Sequence, residues 1–191
     1  SGTTTFTGPI QTLGTLVTDG LDLNGQAFTF SNTVNTGTLG AVSITNAGLL
    51  TIASAADMTL GGAFLQDGAG LVSTAGDITT TADNISFATG VTLAAGPVAL
   101  DTGAGAGTIT FGSTLDGTTA NTEDLTLTAD TGNIDFDDIV GGTTDLGIVT
   151  VVSAADVTAD AAFNASAINQ TAGSGTTTFT GPIQTLGTLV T

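Results

Sequence analysis

Apolar and polar residues alternate in short bursts along this chain, and the bursts recur. Eight segments share the form φ-x-F-x-x-x-φ, where φ is usually apolar: TTFTGPI, FTFSNTV, MTLGGAF, ISFATGV, ITFGSTL, IDFDDIV, VTADAAF and a second TTFTGPI. Their central positions are Phe6, Phe30, Leu60, Phe87, Phe111, Phe136, Ala159 and Phe179, spaced 20 to 30 residues apart. Where the central Phe is missing, a Phe follows four residues later, as Phe64 and Phe163. That exchange predicts one core column, filled from either position: Phe6, Phe30, Leu60, Phe64, Phe87, Phe111, Phe136, Phe163 and Phe179. Phe28 alone among the nine Phe residues lies off these positions. A second alternating motif falls between the first ones, in LDLN at Leu21, VSIT at Val42, VALD at Val98, LTLT at Leu125 and VTVV at Val149.

Alternation of period two marks strands with one buried face. The intervening stretches carry turn formers: Asp19-Gly20, Asn24-Gly25, Asp67-Gly68, Asp116-Gly117 and Gly141-Gly142. No stretch combines a 3.6-residue period with helix caps. Short strands, tight turns and a unit near 20–25 residues predict an all-β parallel β-helix, a β-solenoid in which like residues stack on like. A β-sandwich is the competing reading, but it gives no reason for Phe to return once per unit in the same local phase.

A longer repeat encloses the short one. Residues 1–18, SGTTTFTGPIQTLGTLVT, recur unchanged as residues 174–191, an offset of 173. Residues 1–173 therefore read as one full period of a tandem array and 174–191 as the start of the next. The alternative is one domain whose two ends pair. LLTIAS from Leu49 adds a strand inside the 30-residue spacing, which leaves seven or eight coils per period open.

Charge narrows the function more than the pattern does. The 191 residues hold 17 acidic side chains and no Lys, Arg or His. Nucleic acid is excluded as a partner, because nothing can replace its condensed counterions. Anionic membrane surfaces repel such a chain, and no apolar run is long enough to insert in a bilayer. Without Cys there are no disulfides or thiolate metals. A nucleophilic Ser has no His or Lys to activate it. A carboxylate pair could serve glycoside hydrolysis, but no Trp, Tyr, Lys or Arg is present to build a sugar cleft. The expectation is a non-enzyme without a cofactor.

Three candidate surface chemistries remain. The residue before each central position forms a mostly hydroxyl series: Thr5, Thr29, Thr59, Ser86, Thr110, Asp135, Thr158 and Thr178. It reads as an exposed strand face, with ice or mineral binding as the weaker alternative. Asp135, Asp137 and Asp138 form the densest acidic cluster and are the candidates for weak Ca2+ binding, although neither the EF-hand nor the glycine–Asp nonapeptide pattern is present. Three N-x-S/T triplets, at Asn84, Asn164 and Asn169, read as incidental.

The passages TNAGLLTIASAADMTLGGAFLQDGAG, LVSTAGDITTTADNISF and NTEDLTLTADTGNIDF resemble the repeats of filamentous-haemagglutinin-like and autotransporter-type β-solenoid exoproteins of bacteria. The resemblance is one of repeat form across nearly the whole chain and carries no catalytic signature. It implies a right-handed helix, secretion to the cell surface, and structural or adhesive use. The expected partners are flanking copies of the same repeat and laterally associated fibres.

Overall fold

The computed structural model describes residues 2–16, 19–187 and 189–190. Ser1, Val17, Thr18, Thr188 and Thr191, at the margins of the two identical segments, lie outside the described residues. Among those described, every element is a strand and the chain winds as a β-solenoid of about eight turns. Each turn visits three sheets in the same order, and neighbouring turns pair in parallel.

The first sheet stacks Thr3–Phe6, Ala27–Phe30, Leu50–Ile52, Val72–Thr74, Val91–Leu93 and Leu115–Gly117. It continues through single bridges from Leu115 to Val140 and from Val140 to Phe163. The second sheet runs from Ile10–Gln11 through Val98–Asp101 and Leu125–Thr128 to the long strands Leu146–Ser153 and Phe163–Gln170. These two long strands round the corner between the first and second sheets, and a β-bulge opposite Leu127/Thr128 shifts the register at the far end of Leu146–Ser153. The third sheet stacks eight strands, from Leu21–Gly25 to Thr177–Phe179.

The predicted single core column is a pair and a stack on different sides. Among the described residues Phe6 stacks only on Phe30, with ring centroids 5.0 Å apart, and both lie in the first sheet. Phe64, Phe87, Phe111, Phe136, Phe163 and Phe179 form a separate continuous run with centroids 5.2–5.6 Å apart. Leu60 is buried at the corner leaving the second sheet, directly after Met58–Thr59. The extra strand Leu50–Ile52 causes the break. It takes the first side of its turn, so the motif recurs one side late at Leu60 and two sides late from Phe87 onward. The second motif slips with it, from the third sheet in LDLN and VSIT to the second sheet in VALD, LTLT and VTVV.

The predicted exchange between Phe positions holds at Ala159 and Phe163 but not at Leu60, which lies outside the stack. Ala159 occupies a Phe place between Phe136 and Phe179, and Phe163 meets both rings edge-on. Gln66 occupies the same column between Ile44 and Phe87, while Phe64 supplies the ring. The buried amide is paired: its Nε2 donates to Asn46 Oδ1 at 2.7 Å, and its Oε1 accepts from Ala88 N at 3.2 Å.

Two predicted turn pairs, Asn24-Gly25 and Asp116-Gly117, end strands instead. The glycines serve close approach there. A Cβ on Gly25 would stand 2.9 Å from the Phe28 ring, and one on Gly117 would stand 2.6 Å from a Glu123 carboxylate oxygen.

Candidate functional site: outer columns, acidic corners and coil ends

The outward positions form one column per sheet, not one column in all. Thr5, Thr29, Thr51, Ser73, Thr92 and Asp116 align on the first sheet. Thr59 belongs to the second, beside Asn35 and Thr79. Ser86, Thr110, Asp135, Thr158 and Thr178 align on the third. The sequence series thus crosses three faces, and the same slip that divides the Phe residues divides the hydroxyls. A flat two-column Thr array is not assembled from it.

Many carboxylates act locally as acceptors at the corners, where the chain leaves one sheet and backbone N–H groups turn outward. Asp57 Oδ1 accepts from Asp77 N at 3.0 Å, and Asp77 Oδ1 accepts from Ala99 N at 2.8 Å. Asp116 Oδ1 accepts from Thr143 N, Asp124 Oδ1 from Ile148 N, and Asp156 Oδ1 from Thr176 N, at 2.6–2.7 Å. Each links one turn to the next. Asn84 does the same for Thr108 N, and the amide of Asn164 donates to Gly141 O, so two of the N-x-S/T asparagines bind neighbouring turns.

Glu123 is the one buried acidic side chain, 3% exposed. Its carboxylate accepts from Thr118 N, Thr118 Oγ1 and Thr119 N at 2.8–3.1 Å. Burial pushes its pKa up, but these hydrogen bonds prevail and hold it below the ordinary carboxylate value. The interaction explains how the loop after Leu115–Gly117 is pinned without a cation.

The calcium candidates lie around the strand Ile134–Phe136. Asp135 stands between Thr110 and Thr158 on the outer face, Asp137 is exposed, and Asp138 caps its own corner by accepting from Ile139 N at 2.8 Å. Partial burial, then repulsion from Asp137, Asp160 and Asp156, raises the pKa of Asp135. No group of three metal-ligating side chains converges among the described residues. An open cleft of about 510 Å³ lies at the turn lined by Gln170, Thr171, Ala172, Gly173, Gly175 and Thr177, none of them titratable.

The coil ends bury their inward side chains less than the turns between them. Interior turns bury their inward side chains almost fully, yet Phe6, Ile10, Leu21, Leu23 and Phe179 are only half-buried. Leu13, Leu16 and Leu186 are 80%, 62% and 72% exposed. The outermost described strand of each sheet has a partner on one side only. Sequence patterning could not find these end surfaces, because the end turns carry the same motif as the interior ones.

No family model matches the chain, and no curated protein or solved structure is significantly similar to it.

Proposed function

We propose that this chain is a structural repeat of a long extracellular bacterial fibre of the solenoid-exoprotein kind. The observation that carries the reading is axial. An apolar interior runs the length of the coil to end strands that pair on one side only. The segment at one end is repeated, residue for residue, at the other. At about 4.8 Å per turn, eight turns span about 38 Å, so each added period adds reach at constant cost in sequence. Backbone ladders and the buried Phe, Ile, Leu and Val columns supply stability one neighbour at a time. The net charge of −17 keeps fibres apart laterally unless divalent cations bridge them. With no Lys or Arg, trypsin has no site to cut.

Electron microscopy of the native material tests this reading. Filaments of uniform width are expected, and discrete globular particles would refute it. Removing whole periods should shorten a fibre and leave attachment through a distal tip intact. Tight glycan binding by a single period would instead make it an adhesin module.

A further inference from the structure

Residues 2–14 and 175–187 have identical sequences and fold differently. In the first copy, Thr3–Phe6 pairs with Ala27–Phe30 on the first sheet, and Ile10–Gln11 with Val34–Asn35 on the second. In the second copy, Thr177–Phe179 pairs with Val157–Ala159 on the third sheet. Ile183–Thr185 then pairs with Phe163–Ala165, and Leu189–Val190 with Ile168–Asn169. The described strands of the second copy thus lie on the third, first and second sheets in turn, where those of the first copy lie on the first and second.

The difference between the copies is what each has beneath it. The second lies on a finished turn, Leu146–Ala159 followed by Phe163–Gln170, which dictates its register. The first has only its own following turn. We propose that residues 2–16 are a two-register docking segment whose partner is a second copy of this chain. They rest on the first and second sheets when no turn lies beneath them. On the Val157–Gln170 turn of another copy they move to the third-sheet register, replacing that copy's residues 174–191.

Three features support the exchange. The replaced segment and the incoming one are the same sequence, so every interaction that the receiving turn gives up is remade. The incoming segment brings a full stack of turns behind it, which gives the half-buried Phe6, Ile10, Leu21 and Leu23 a second neighbour. The path is also continuous. In the new register the segment runs third, first, second sheet and delivers the chain to Leu21–Gly25 on the third sheet, where that strand already lies. Placing Thr4 over Leu23 makes the connecting turn 19 residues, which the fold already accommodates between Val72 and Val91. A joined copy then occupies eight whole turns. The present register advances seven turns and two sides from Phe6 to Phe179. This inference rests on the fibre reading only for its biological setting.

The chain has no Cys, so introduced pairs report register without background. Thr178 pairs with Thr158, and Thr5 is its equivalent at the 173-residue offset. Outward Cys residues on adjacent parallel strands fall within disulfide reach. The double variant Thr5→Cys/Thr158→Cys, oxidised across a concentration series, should lose its monomer band to a ladder of disulfide-linked multimers on non-reducing gels. Thr5→Cys alone should stop at dimers. The control Thr5→Cys/Thr29→Cys should close within the chain at low concentration, as the free-end register requires. Far-UV circular dichroism checks that each variant keeps its strands. Thr5→Cys/Gln184→Cys reports blunt stacking instead, because Gln184 lies in the first-sheet column that contains Thr5. A ladder from that pair and none from Thr5→Cys/Thr158→Cys would overturn the exchange and leave the fibre reading standing. Monomers from both pairs at every concentration would also overturn it.

Discussion

Phe111 offers the sharpest test of the packing. It is 2% exposed and lies between Phe87 and Phe136, with centroids 5.6 and 5.3 Å away and ring planes within 12° and 1° of parallel. Phe111→Ala removes a ring that has no route to collapse, because rigid backbone ladders hold the turns above and below. Buried Phe→Ala changes cost about 3–5 kcal/mol, and two missing stacking partners at about 0.5–1.5 kcal/mol each place this one toward the upper end. Phe6→Ala removes one stacked partner from a half-buried end position and should cost about 1–2 kcal/mol. For a chain of this size about 4 kcal/mol corresponds to a fall in Tm of roughly 8–16 °C. Thermal unfolding followed by circular dichroism, on the two variants in parallel, reads the difference directly. Equal losses at Phe6 and Phe111, or a loss at Phe111 below about 1 kcal/mol, would refute a continuous aromatic stack through the middle of the coil.

Glu123→Ala should cost about 2–3 kcal/mol, because three donors at Thr118 and Thr119 lose their acceptor. Its folded pKa lies below the unfolded value, so the stabilisation is complete above about pH 4.5 and is lost as pH falls through the folded pKa; pH-dependent melts of wild type and variant should converge only in strong acid. Asp135 has the opposite sign. Its raised pKa means the folded state resists its charge, a penalty complete above the folded pKa and relieved as pH falls toward the unfolded value, so Asp135→Asn should raise Tm at neutral pH and the gain should vanish in acid. Gln66→Leu should destabilise by about 1–3 kcal/mol despite its apolar surroundings, because Asn46 Oδ1 loses its donor and Thr89 Oγ1 one of its acceptors; a chemical denaturation curve with an unchanged midpoint would count against that amide ladder.

The strand periodicity, the parallel stacking and the return of Phe were legible because each depends on local alternation and on like residues meeting one turn apart. Phe64 and Phe163 could be assigned to the aromatic stack on spacing alone, and the rings do meet it. The side of the coil was not legible. A motif reports which residues point inward, and all three sheets use the same alternation, so LLTIAS could be read as an extra strand without revealing which side it takes or that every later motif moves to another side. The hydroxyl series failed for that reason at Thr59 and again at Ser86. The role of the acidic residues was hidden for a different one: Asp57, Asp77, Asp124 and Asp156 accept from N–H groups 20 to 24 residues away, in the next turn. Those pairings exist only once the turn length is known.

X-ray diffraction from aligned native filaments tests the central claim most directly. A parallel solenoid with its axis along the filament places a meridional reflection near 4.8 Å, because the strands cross the axis and stack along it. Copies joined through whole turns add axial order at about 38 Å, eight rungs of that spacing. Layer lines at about 110 Å, three periods of seven and two-thirds rungs, would mean that the free-end register persists along the array. Absence of the 4.8 Å meridional reflection would contradict the solenoid fibre itself.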